Sequence, residues 1–174
     1  MQDDASPSPL PQAPLPRYAP ETPLPKRAYL PGRTARPPEP EGHHHDAHSL
    51  GDPIGSPAFL RGFRFGIDLF NHGYYWEAHE AWEAQWLPLP PGDDTREQLQ
   101  GLIQASAALL KLRLDSPAPA KTIWVRGRAR LAKVAVTTPD GVVLDVPLLE
   151  VIAQLDHAVA AERLPDPPPR ITLR

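Results

Sequence analysis

The chain has 174 residues, of which 22% are charged and 41% hydrophobic, with a formal net charge of -3. This balance lacks the Lys and Arg excess with which proteins usually hold phosphates, so no nucleic-acid partner is expected. There is no cysteine, which removes disulfides, thiolate metal sites and cysteine nucleophiles.

The N-terminal stretch is punctuated by proline: 14 of the 25 prolines fall in residues 1–57. Proline fixes φ and removes a backbone donor, so Pro7 to Pro40 reads as a polyproline-like, irregular arm. A solvated arm is the expectation, with Leu24, Tyr29 and Leu30 as the side chains able to dock and Pro31-Gly32 as a turn. The first thirty residues contain no uninterrupted apolar stretch of the kind a secretory signal needs, and no apolar run approaches the ~20 residues of a membrane span. A cytoplasmic protein with no membrane partner is expected. His43, His44, His45 and His48 form a short histidine tract, read as a solvated stretch that can pick up nickel or zinc adventitiously.

Ser56-Pro57 opens the first helix, with a capping hydroxyl followed by proline at the first helical position. Phe59, Phe63, Ile67 and Phe70 recur at helical spacing, and Gly73 suits the left-handed residue that closes the element. A second helix is predicted from Tyr74 to Trp86, ended by Pro88, Pro90, Pro91 and Gly92. Asp93, Asp94 and Thr95 are candidate caps for a third, from about Arg96 to Leu114. Its apolar side is Leu99, Leu102, Ile103, Leu109 and Leu110, beside a strip of small residues, Gly101, Ala105 and Ala108. Small residues admit a close neighbour, so this helix is placed at the centre.

A fourth helix is predicted over Ala118 to Val136, with Ala120, Trp124, Gly127, Leu131 and Val134 inward. Its Arg126, Arg130 and Lys133, with Lys121 and Arg128 nearby, read as an ordinary charged outer face. Pro139-Asp140-Gly141 is a turn, and Gly141 to Val146 a loop, since one short strand would have no partner. Asp145 is expected to cap a fifth helix, with Pro147 just inside and Leu148, Val151, Ile152, Leu155 and Val159 buried. The expected fold class is all-α, a compact bundle of about five helices. Residues 1–53 form the arm, 54–164 the helical domain and 165–174 a short proline-rich tail.

The chemistry concentrates on the second helix. At about 100° per residue, Tyr75, Ala78, His79, Trp82 and Trp86 fall on one face, taken as the core face. Glu83 lies at its edge, Glu80 further out and Glu77 opposite. A histidine inside an apolar stripe needs a partner, and Glu83 at i+4 can supply one, with Gln100 or Gln104 on the third helix as others. Three uses fit these residues. One is a buried structural network in a binding or scaffold module. A second is a metal site with His79 and Glu83 as i, i+4 ligands. The third is a small hydrolytic or acid-base enzyme using His79 with Glu80 or Glu83, in a pocket lined by Trp76 and Trp82. The H-E-x-x-H zinc-protease pattern is not matched, because Glu83 stands where its second histidine would be. Nor is the Glu-x-x-His di-iron pattern, because Trp76 precedes His79 by three.

The run Phe70-Asn71-x-Gly73-x-Tyr75-x-Glu77-Ala78-His79-Glu80-x-x-Glu83-x-x-Trp86, followed by Gln100-Gly101-Leu102-Ile103-Gln104-Ala105, resembles the signature of the domain-of-unknown-function family DUF309. The resemblance covers roughly 59–164. In the arm, Tyr29-Leu30-Pro31-Gly32 and Pro40-Glu41-Gly42-His43 loosely resemble segments of longer bacterial members. The family implies an all-helical fold and no assigned activity. Its motif brings Asn71, Gly73, Glu77, His79, Glu80, Glu83, Trp86, Gly101 and Gln104 into view. Gly73 and Gly101 read as backbone and packing residues. His79, Glu80 and Glu83 are the catalytic candidates, and Asn71, Trp76, Trp82 and Gln104 the binding candidates. Cofactor, substrate and partner are left unnamed, and a homo-oligomer resting on exposed tryptophan is compatible with the sequence.

Overall fold

The computed structural model describes residues 15–35 and 52–174. The Ser56 hydroxyl accepts from the Phe59 amide and Pro57 occupies the first turn, so α1 runs Pro57–Asn71. Gly73 follows at φ 80, where an L side chain would be strained, and reverses the chain into α2, Tyr75–Trp86. Asp93 alone caps α3, Asp94–Arg113, by accepting from the amides of Thr95 and Arg96. The helix therefore starts two residues before the predicted position. α4 spans Pro117–Thr137 and α5 spans Leu148–Ala160. Among the described residues, no helix is long and apolar enough to cross a membrane.

α3 lies at the centre and packs against α2, α4 and α5. The small residues explain how. A Cβ on Gly101 would meet Leu131 Cδ2 at 2.5 Å, and one on Gly127 would meet the Gly101 carbonyl oxygen at 3.2 Å. The backbones of α3 and α4 can approach this closely only without those side chains. The inward sets predicted for α1, α4 and α5 are all buried, and Leu99, Leu102 and Leu109 join them.

Two expectations fail between α4 and α5. Residues 141–146 are not simply a loop: β1, Val142–Val143, pairs antiparallel with β2, Val146–Pro147. The missing partner lies four residues on, because Leu144 and Asp145 both take positive φ (49 and 64) and turn the chain back on itself. Asp145 is consumed by that turn and does not cap α5, whose N-cap position is Pro147 with no side-chain bond. Gln98 of α3 ties the hairpin to the bundle by donating to the Val143 carbonyl at 2.9 Å.

Contacts also cross both expected domain boundaries. The expectation of a solvated arm is overturned for residues 15–35, which dock on α1 and α2. The Asp68 carboxylate is fully buried and accepts from Arg17 Nε (2.9 Å), the Tyr18 amide (2.8 Å) and the Ala19 amide (2.9 Å). Three residues along α1, the Asn71 side chain donates to the Ile171 carbonyl and accepts from its amide, both at 2.8 Å. One face of α1 thus holds the arm with Asp68 and the tail with Asn71. Arm and tail also meet, the Leu173 amide donating to the Tyr18 hydroxyl at 3.2 Å.

Candidate functional site

The polar face of α2 follows from where its core face points. Tyr75, Ala78, Ala81 and Trp82 are buried, and the Gln85 amide reaches inward to the Phe59 carbonyl at 2.8 Å. These residues centre the core side about 70° away from the sector marked by Tyr75, His79 and Trp86. The predicted face was pulled off by Trp86, whose ring is only half-buried. Its indole instead carries the Arg96 guanidinium 4.2 Å above it, while Arg96 also donates to the Trp86 and Leu89 carbonyls.

His79 is therefore not buried, contrary to expectation. Its side chain is 27% exposed and that of Glu83 44%. His79 Nε2 and Glu83 Oε2 are 3.8 Å apart, close enough to attract but too far for a hydrogen bond. Glu80 completes the group: one ligand atom from each of His79, Glu80 and Glu83 lies within 4.8 Å of the others. The Trp76 ring stacks on the imidazole at 6.0 Å and 12°. Tyr29 of the arm meets the same indole edge-on at 5.2 Å.

Glu77 lies on another sector of α2, facing the arm rather than open solvent. Its Oε1 accepts from the Tyr29 amide at 2.7 Å, while Oε2 is buried without a hydrogen-bond partner. Burial raises its pKa above the usual carboxylate value. The Tyr29 bond and the Arg113 charge pull it down, and Glu80 pushes it up again. Tyr75 at the start of α2 is pushed up to about 12, chiefly by burial, against the opposing fields of Arg113 and Arg170.

The remaining site candidates serve other ends. Trp82 is fully buried and donates to the Phe63 carbonyl at 3.2 Å, so it does not line a pocket beside His79. Asn71 is occupied by the Ile171 backbone. Gln104 faces α4, its Cβ 3.0 Å from where a Gly127 Cβ would stand, and its buried Oε1 has no partner. Of the basic residues on α4, Arg128 pairs with Asp156 at 2.9 Å and Arg130 with Glu97 at 2.6 Å. The histidine tract at 43–48 lies outside the described residues.

Asp68 was missed as an anchor, although an acid between Ile67 and Leu69 in an apolar helix was a signal that something charged must reach it.

Residues 63–123 match the family described as "Domain of unknown function (DUF309)". The match covers less than half of the chain. It runs from within α1 to the start of α4 and contains every residue of the polar face of α2. It also contains Asp68, Asn71 and Gln104. The arm, the hairpin, α5 and the tail lie outside the DUF309 match, so the partners of Asp68 and Asn71 come from flanking chain. No curated protein matches the chain.

Proposed function

We propose that this DUF309-containing domain is a binding module, and that its working surface is the ridge of α2 formed by His79, Glu80 and Glu83 beside Trp76. One observation carries the reading. Among the described residues, the fold's hydrogen bonds engage none of these three side chains, whereas Asp68, Asn71, Glu77, Trp82 and Gln85 nearby are all used to hold the chain together. Half-exposed titratable groups left unengaged by the fold are available to a ligand.

The acid-base reading of the same residues has less support. A catalytic pair works through a hydrogen bond, and His79 and Glu83 stand 3.8 Å apart. Trp82, one of the two proposed walls, is withdrawn into the core. The structural-network reading is weakened by the exposure of both partners.

Thermal and urea unfolding of the triple variant His79→Ala/Glu80→Ala/Glu83→Ala separate these roles. If the ridge is a working surface, stability stays within about 0.5 kcal/mol per substitution, as for ordinary surface positions. If it is a network that supports the fold, His79→Ala alone costs about 1–3 kcal/mol. The larger loss would sink the binding-surface reading.

A further inference from the structure

We propose that the junction between α1 and α2 is a binding site for the phosphate dianion of a small molecule, with the guanidinium groups of Arg113 and Arg170 and the Tyr75 hydroxyl as its donors. The site is separate from the α2 ridge and shares no residue with it.

Three anchors within five residues of chain assemble it. Asn71 clamps the Ile171 backbone at 2.8 Å in both directions, which fixes the preceding residue, Arg170, beside the end of α1. Gly73 admits Arg113 from the end of α3. Its carbonyl accepts from Arg113 Nη1 at 2.6 Å, and a Cβ on the glycine would stand only 3.1 Å from that nitrogen. Tyr75 opens α2 and is 2% exposed. Its ring packs edge-on against Phe70 at 5.6 Å, and the charges of Arg113 and Arg170 both act on its hydroxyl.

The donors at this junction are unspent. Among the described residues, Arg17, Arg33, Arg64, Arg128, Arg130 and Arg174 all pair with acids, whereas Arg113 and Arg170 pair with none. Arg170 Nε is buried without a hydrogen-bond partner, and a charged donor in that state is costly. The Tyr75 hydroxyl sits on an almost completely buried side chain and likewise makes no hydrogen bond among the described residues. With a pKa of about 12 it keeps its proton, so it donates to an anion rather than repelling it. The acids nearby are occupied. Asp115 is held by Arg33 at 2.7 Å. Glu77 lies in the field of Arg113 but gives Oε1 to the Tyr29 amide and makes no ion pair. Tyr74 places no side-chain acceptor over the first turn of α2, so the amides there add to the positive field.

Two guanidinium charges match a phosphate dianion, and their forked N–H groups fit its oxygens. A carboxylate would balance only one of them. Arg113 is exposed, which leaves the rest of the ligand a way out to solvent.

The test titrates the full chain with sodium phosphate at about pH 8, where the dianion prevails, against sodium chloride of equal ionic strength. By NMR, the Arg170 Nε–Hε and Ile171 amide resonances should shift along one saturable curve. Followed at the Ile171 amide, Arg113→Gln and Arg170→Gln should each weaken binding about tenfold, with helical circular dichroism unchanged. Tyr75→Phe should weaken it less. The triple variant His79→Ala/Glu80→Ala/Glu83→Ala should bind phosphate as the parent does. Should Arg113→Gln fail to fold, having lost its bond to the α1–α2 turn, Arg170→Gln decides the question, because that side chain makes no bond within the described fold. No saturable phosphate binding, or binding that survives Arg170→Gln, overturns the site. Sodium acetate binding as tightly as phosphate overturns the assignment to a dianion. Binding that ignores Tyr75→Phe removes the hydroxyl from the donor set. Loss of phosphate binding in the triple variant would overturn the separation from the ridge, whereas failure of the phosphate site alone leaves the ridge reading standing.

Discussion

Removing the Asp68 carboxylate should release the arm. In Asp68→Ala, Arg17 Nε and the amides of Tyr18 and Ala19 lose their acceptor together. Breaking a buried ion pair by deleting one partner costs about 3–5 kcal/mol, because the other charge is left stranded. Here the stranded group has an escape. Arg17 is 22% exposed on an irregular segment, so the arm can lift and rehydrate it. The loss is then capped at the docking free energy of the arm, and the lower end, about 3 kcal/mol, is expected. For a domain of this size that corresponds to a Tm fall of roughly 6–12 °C. Asp68→Asn should not rescue it, since an amide turns a donor toward a site that holds three donors already. Hydrogen exchange locates the damage: the Tyr18 and Ala19 amides should lose protection while amides at the centre of α3 keep theirs. A loss below about 1 kcal/mol with both arm amides still protected would refute the account of Asp68 as the anchor.

Two other perturbations follow from the packing and the charges. Gly66→Ala would set a Cβ 2.2 Å from Trp82 Nε1. Alanine gains about 1 kcal/mol of helix propensity over glycine, but forcing a buried indole aside costs about 1–3 kcal/mol or more, so a lowered Tm and altered tryptophan fluorescence are expected. An unchanged or raised Tm would mean that α1 and α2 are not this close. Glu77→Gln addresses pH. Because burial raises the Glu77 pKa above its ordinary 4.5, the folded state holds the proton more tightly than the unfolded state. Its contribution to stability is full below 4.5 and is lost as pH rises through the raised folded value. Glutamine keeps an oxygen for the Tyr29 amide and carries no charge. Urea midpoints of variant and parent should therefore diverge in the variant's favour as pH climbs through that window. Parallel curves would show that Glu77 ionises without penalty.

The helices were legible because their signals are local. Ser56-Pro57, Asp93, the prolines after Trp86 and the small strip on α3 act within a turn or two, and each did in the fold what its chemistry implies. The cluster of His79, Glu80 and Glu83 was legible too, because it lies within five residues of one helix. Its exposure was not. Phase alone cannot say which side of α2 faces the core when Trp86 stays half-buried beneath Arg96 and a small residue, Ala81, is buried instead. Two neighbours, α1 and α3, set that direction. The hairpin escaped for a related reason: its second strand is two residues long, and only the positive φ at Leu144 and Asp145 brings it back. The arm and tail depended most on tertiary structure. Arg17 and Asp68 are 51 residues apart, and Asn71 and Ile171 are 100 apart. Composition described the arm as irregular chain. A buried carboxylate that needed donors decided that it would be held.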